Sequence, residues 1–209
     1  MLKPYRIYLS NLLMAVFALQ FVFGCATLHP DHVENVCQIF YQYPKWYWAA
    51  SDAETKWGVP IAVMMSVMDQ ESSFEASARP ARKKIFWIIR GKRPTSAYGY
   101  CQALNDTWKI YQHQTGNYSA KRNSFANSID FIGWYLHFIH LKLNIPVGDA
   151  YHLYLAYHEG SGNYLHGTYL GKPWLLPVAA KVKYRAWAYQ AQLNKCRADL
   201  KRKPWYHLW

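Results

Sequence analysis

Phe125, Ile129, Ile132, Leu136, Ile139 and Leu143 step along the chain by four, three, four, three and four residues. That spacing puts them on one stripe of an α-helix and predicts a helix over residues 124–143. Other segments read similarly. Pro44 suits an early helical position and Gly58 a C-terminal stop, predicting a helix over 44–56. Pro60 opens a second helix to Glu71 whose IAVMMSVM core is almost wholly apolar, as in a helix buried on most faces. A helix over 106–113 has Asn105 as its cap and Gly116 as its stop. Asp149 or a neighbour opens a helix into Glu159, and Gly160, Gly162 and Gly167 mark a turn-rich stretch. A last helix, 178–196, follows Pro177. No alternation demands a sheet of more than two or three short strands. The expectation is one mostly α-helical domain over 44–198. Residues 25–43 read as a tether, and 199–209 as a basic, aromatic tail.

Ile7 to Gly24 is uncharged and mostly apolar, behind Lys3 and Arg6. It has the length of a bilayer span and the look of a secretory signal. Its end, Val22-Phe23-Gly24-Cys25, resembles the lipobox of bacterial lipoproteins. That resemblance implies cleavage of residues 1–24 as a signal peptide and lipidation of Cys25. Ala26 in place of Asp implies the outer membrane. A retained membrane anchor is the alternative.

Composition narrows the class. The chain of 209 residues is 52% hydrophobic, which excludes a disordered protein. Twenty-four Lys and Arg against twelve Asp and Glu give a formal charge of +12 and favour a polyanionic partner. Beyond Cys25 the cysteines are Cys37, Cys101 and Cys196. An oxidising compartment permits one disulfide. Cys101 lies among aromatic and apolar neighbours and reads as a buried thiol; Cys37 and Cys196, near opposite ends, are expected to pair. The cysteine and histidine spacings suggest no metal site. Residues 79–94 carry seven basic residues around Ile85-Phe86-Trp87-Ile88-Ile89, and a strand pair, a hairpin or a membrane-facing loop all remain open there.

Glu71 stands out among the acids. It ends a buried helix, where the helix dipole disfavours an anion, and Phe74 follows closely. Such an address can keep a carboxyl protonated near neutrality, which glycosidic cleavage requires of its acid.

Three ordered blocks resemble the soluble-lytic-transglycosylase-like family, which shares the goose-type lysozyme fold. Glu71-Ser72-Ser73-Phe74 is similar to its Glu-Ser-x-Phe. Ala97-Tyr98-Gly99-Tyr100-Cys101-Gln102 is similar to its Gly-Leu-Met-Gln block. Ala156-Tyr157-His158-Glu159-Gly160-Ser161-Gly162-Asn163-Tyr164 is similar to its Ala-Tyr-Asn-x-Gly-x-Gly-x-Val block, with His158 in place of Asn. The resemblance spans about residues 55–190 and implies a lysozyme-like domain with a catalytic cleft between helices. Glu71 is then the single acid and base, Ser72 and Gln102 shape the cleft, and Tyr157 positions or hydrogen-bonds the carboxyl. His158 and Glu159 line the cleft as substrate-binding residues. Glu159 can also be a second functional acid, though a surface residue at a helix end is the expected role. The implied reaction cleaves the MurNAc–GlcNAc β-1,4 bond of peptidoglycan with a 1,6-anhydro product, without metal or other cofactor. The implied partners are glycan strands, the outer membrane through the lipid, and an envelope or secretion-complex protein, not nucleic acid. A lysozyme-like hydrolase and an inactive structural component of an envelope machine are the alternatives.

Overall fold

The computed structural model describes residues 29–82, 84–85, 89–90 and 92–202. Eight α-helices carry the fold among these residues. The first, α1 (Val36–Gln42), lies where a tether was expected. Val36, Ile39 and Phe40 recur at helical spacing and are buried, and the Asn35 side chain caps the N-terminus by accepting from Gln38 N. Helix α2 (Pro44–Trp57) begins on Pro44 and stops at Gly58, which is left-handed at φ 70°.

Helix α3 (Ile61–Ser72) is the centre of the molecule, and every residue from Ile61 to Asp69 is buried. Its N-terminus is capped from outside: Glu54 of α2 accepts the Ile61 N–H at 3.0 Å and also pairs with Arg197. At its far end Ser73 and Phe74 are both left-handed, at φ 48° and 62°, so the chain reverses sharply after Glu71. A bulky residue rarely adopts that conformation. Burial of the Phe74 ring beneath Trp46 holds it there, and Trp46 in turn stacks on Phe125 at 4.0 Å.

Strands β1 (Lys84–Ile85) and β2 (Ile89–Arg90) pair antiparallel, in line with both the strand pair and the hairpin left open above. Helix α4 (Asn105–Thr115) starts at its expected cap residue, one position earlier than expected. Leu104 takes the cap position, and Asn105, already helical, accepts from Arg122 through its side-chain oxygen at 2.8 Å. Helix α5 (Phe125–Leu143) buries the stripe from Phe125 to Ile139 and is capped by Ser124. A Cβ at Gly133 would stand 2.7 Å from Trp57 Cδ1 and 3.0 Å from Met64 Sδ, so glycine lets α5 approach α2 and α3. Asp130 of α5 accepts from Trp57 Nε1 at 2.9 Å, Tyr111 OH at 2.6 Å and Lys56 Nζ at 3.1 Å, tying α2, α4 and α5 together.

Helix α6 (Ala150–Glu159) is capped by Asp149. Helix α7 (Ser161–Leu165) and a 3-10 turn, Thr168–Gly171, follow. The last helix, α8 (Leu175–Leu200), is longer than expected at both ends. Pro177 falls inside its first turn, where a missing N–H costs no helical bond. Helix α8 packs along α1, α3 and α6, and the Asp69–Arg185 ion pair at 2.9 Å pins α3 to it. The apolar run 7–24, Cys25, residues 86–88 and the tail beyond Arg202 lie outside the described residues. Among the described residues no helix is long and apolar enough to cross a membrane.

Cys37 of α1 and Cys196 of α8 form a disulfide with Cα atoms 6.2 Å apart, closing a loop of 159 residues. Cys37→Ser/Cys196→Ser is expected to lower stability by about 2–5 kcal/mol, read as a fall in the thermal or denaturant midpoint. Wild type treated with reductant should fall to the same midpoint.

Candidate active site

The reversal after α3 leaves Glu71 facing a cleft of about 440 Å³. One wall is the segment around Thr95, Ala97, Gln102 and Leu104; the floor is Phe131 and Tyr135 of α5; the far wall is Tyr157, His158 and Glu159 at the end of α6. Glu71 is half-buried. Burial raises its carboxyl from the ordinary 4.5 to about 7, against a smaller opposing effect of a hydrogen bond from Tyr154. No cation pairs with it among the described residues, so only that hydrogen bond offsets the lost hydration.

The wall carrying Gln102 is built on backbone geometry. Gly99 is left-handed at φ 74°, and a Cβ there would stand 2.0 Å from the Arg122 carbonyl oxygen. The close approach allows Tyr100 N to donate to that oxygen. Ser72, one residue past Glu71, donates to the Tyr100 carbonyl at 2.9 Å, fastening the end of α3 to this turn. The Gln102 amide donates to the carbonyls of Gly99 at 2.7 Å and Ala78 at 3.0 Å. Two motifs separate in the sequence thus meet through Ser72 and Gln102.

Tyr157 does not hydrogen-bond Glu71, one of the two roles the resemblance implied. Its hydroxyl donates to the Cys101 carbonyl at 2.6 Å, and its ring packs edge-on against Tyr135. Tyr154, one helical turn earlier, supplies the bond to Glu71. Cys101 itself is buried, and burial pushes its thiol up to about 11, so it is unreactive.

Glu159 differs from its expected place on the surface. Its side chain is only 1% exposed. Lys172 donates to it at 2.7 Å, His158 Nδ1 lies 3.1 Å away, and the Thr168 hydroxyl donates at 2.5 Å. Burial alone would raise its pKa; these partners outweigh burial and hold the carboxyl below the usual range. Glu159 is therefore an anion that latches the 3-10 turn onto the end of α6.

Residues 13–196 match the family model described as transglycosylase SLT domain. The chain belongs to that family. No curated protein and no solved structure matches it. Membership makes the protein an SLT-domain enzyme of the peptidoglycan lytic class, and its mostly helical architecture agrees with a lysozyme-like SLT fold.

Several residues of this SLT-domain cleft were missed in the sequence. Tyr154 had a signal, since it lies three residues before Tyr157 on the same helix face. Lys172 and Thr168 had none, because their contact with Glu159 depends on the turns between them. Arg122, which donates to the carbonyls of Ser96 at 3.0 Å and Ala103 at 2.7 Å, holds the cleft wall from a distant loop.

Glu71 carries a raised folded pKa, so its ionisation opposes folding. The penalty is absent below pH 4.5 and grows as pH rises to about 7. Glu71→Gln is expected to raise the melting temperature relative to wild type at pH 8 and to leave it nearly level at pH 4, read by thermal denaturation at both values. Tyr154→Phe removes the hydrogen bond that lowers the Glu71 pKa. The Glu71 titration, followed by carboxyl NMR or by the pH profile of activity, is expected to move upward.

Proposed function

We propose that Glu71 is the sole acid and base of a lytic transglycosylase that cleaves the MurNAc–GlcNAc β-1,4 bond. The observation that carries this reading is a half-buried carboxyl, raised to about 7, opening onto a cleft with an aromatic floor. A carboxyl at that pKa is partly protonated at neutral pH and can donate to the bridging oxygen as the C1–O bond breaks. The resulting carboxylate takes the proton of the sugar's 6-hydroxyl, whose oxygen attacks C1 and closes the 1,6-anhydro ring. Proton count is restored and water is not consumed. Ser72 and Gln102 hold the wall opposite α6, Tyr154 orients the carboxyl, and Tyr157 and His158 border the sugar path.

A two-carboxylate hydrolase would need a second acid free to activate water. Glu159 is the candidate in this cleft, and its ion pair with Lys172 argues against that role. The charge pattern and the Val22-Phe23-Gly24-Cys25 sequence support a periplasmic enzyme with signal peptide 1–24, lipid on Cys25 and an outer-membrane anchor. Such placement also fits service to an envelope or secretion complex.

Glu71→Gln is expected to lose at least roughly 10²–10⁴ in rate on purified sacculi. Mass spectrometry of wild-type digests should show anhydro-muramic ends; reducing ends would assign the hydrolase instead. A folded Glu71→Gln protein that cleaves at the wild-type rate would remove Glu71 from the mechanism. For the anchor, Cys25→Ser is expected to release the protein from membranes. An intact mass showing residues 1–24 retained in the membrane-bound protein would refute cleavage.

A further inference from the structure

Four arginines gather beside the cleft wall. The Arg79 guanidinium lies 4.1 Å from the centre of the Tyr98 ring, and that of Arg122 lies 5.4 Å from the same ring. Arg79 is placed there by its neighbour: the Ala78 carbonyl accepts from Gly99 N at 3.0 Å and from the Gln102 amide. Arg93 Nη1 donates to the Pro80 carbonyl at 2.6 Å, folding the far end of the basic segment back onto residues 79–82. Burial, then the charges of Arg82 and Arg79, lower the pKa of Arg93, so the cations lie within electrostatic reach of one another.

Among the described residues no acid neutralises this group. All twelve acidic residues of the chain are among the described ones, and no ion pair there engages Arg79, Arg82, Arg93 or Arg122. Like charges held together by ring stacking and backbone hydrogen bonds favour an anion from outside. Arg122 is committed to the wall, whereas Arg79 and Arg82 are exposed. Guanidinium forks match carboxylates in a bidentate way. The cleft wall they adjoin contains Thr95, Ala97 and Gln102. A peptidoglycan strand lying in that cleft would carry short peptides on alternate sugars, and the free carboxylates of those peptides are anions of the kind this group matches.

We infer that Arg79, Arg82 and Arg93 form a carboxylate-recognition site at the cleft lip that selects glycan strands still bearing their peptides. This inference rests on the reading of the cleft as a peptidoglycan site. The site sets which strands bind, while the bond-breaking step belongs to Glu71.

The test reads binding by the full chain carrying Glu71→Gln, so that turnover does not intervene. The probes are glycan strands with intact peptides, the same strands stripped of peptides, and intact strands with carboxylates capped as amides. Binding to intact strands is expected to be roughly tenfold tighter than to either other probe, and to weaken as salt rises. Adding Arg79→Gln/Arg82→Gln should bring intact strands to the level of stripped ones. Adding Arg79→Lys/Arg82→Lys should keep only part of the preference, since an ammonium lacks the fork. Equal binding of intact and stripped strands overturns the proposal. So does a preference that survives capping, which would assign the arginines to another polyanion, or one that survives the double Gln change. The lytic reading is tested separately, by products: a wild type that binds intact strands selectively but cleaves none would overturn that reading and leave this site in place.

Discussion

Burial of helix α3 is the constraint on which the rest depends. Its run of Ile61 to Asp69 has no exposed face, and helices α2, α5 and α8 close around it. A helix enclosed in this way delivers whatever follows its last apolar turn into a place of low hydration. Glu71 stands there, and desolvation sets its raised pKa. The same enclosure forces the chain to leave abruptly, and the left-handed pair Ser73 and Phe74 is the means. Phe74 tolerates that backbone because its ring is wholly buried against Trp46. Core packing and the raised pKa of Glu71 are therefore two consequences of one apolar helix.

The second constraint is a close approach of backbones. Gly99 brings the 97–102 turn against Arg122, and Ser72 then fastens that turn to the end of α3. The cleft wall is thus held by main-chain bonds and by Arg122 rather than by apolar packing alone. A wall built this way stays put while its exposed side remains polar and cationic. The arginines beside Tyr98 are a product of that construction, since Ala78 is bonded to the turn and Arg79 comes with it.

Much of this was legible in the sequence, for local reasons. The α5 stripe, the Gly58 and Gly116 stops and the Asp149 cap each act within a few residues, so spacing reveals them. Glu71 was legible because the apolar helix before it and the Ser72 to Phe74 block after it are contiguous. Helix α1 was not, because it has seven residues and its stabilising partner, α8, lies at the other end of the chain. The choice between Tyr154 and Tyr157 turns on the rotation of α6, which both residues share. Glu159 looked like a surface acid because the residues that justify burying it, Thr168 in the 3-10 turn and Lys172 just after it, arrive only after the intervening α7 turn.

The two carboxylates of the cleft show what decides an acid's role. Both are withdrawn from water, and withdrawal alone raises a carboxyl pKa. Glu159 is surrounded by donors, one of them the Lys172 ammonium, and stays ionised. Glu71 has a single phenolic donor and no cation among the described residues, and so keeps its proton into the neutral range. Different partners thus leave Glu159 ionised and Glu71 protonated into the neutral range. An anion already neutralised by lysine is a poor base for water, whereas a carboxyl near pKa 7 passes a proton in both directions at little cost. The cleft is therefore suited to a reaction in which one group gives a proton and takes the next from the substrate itself.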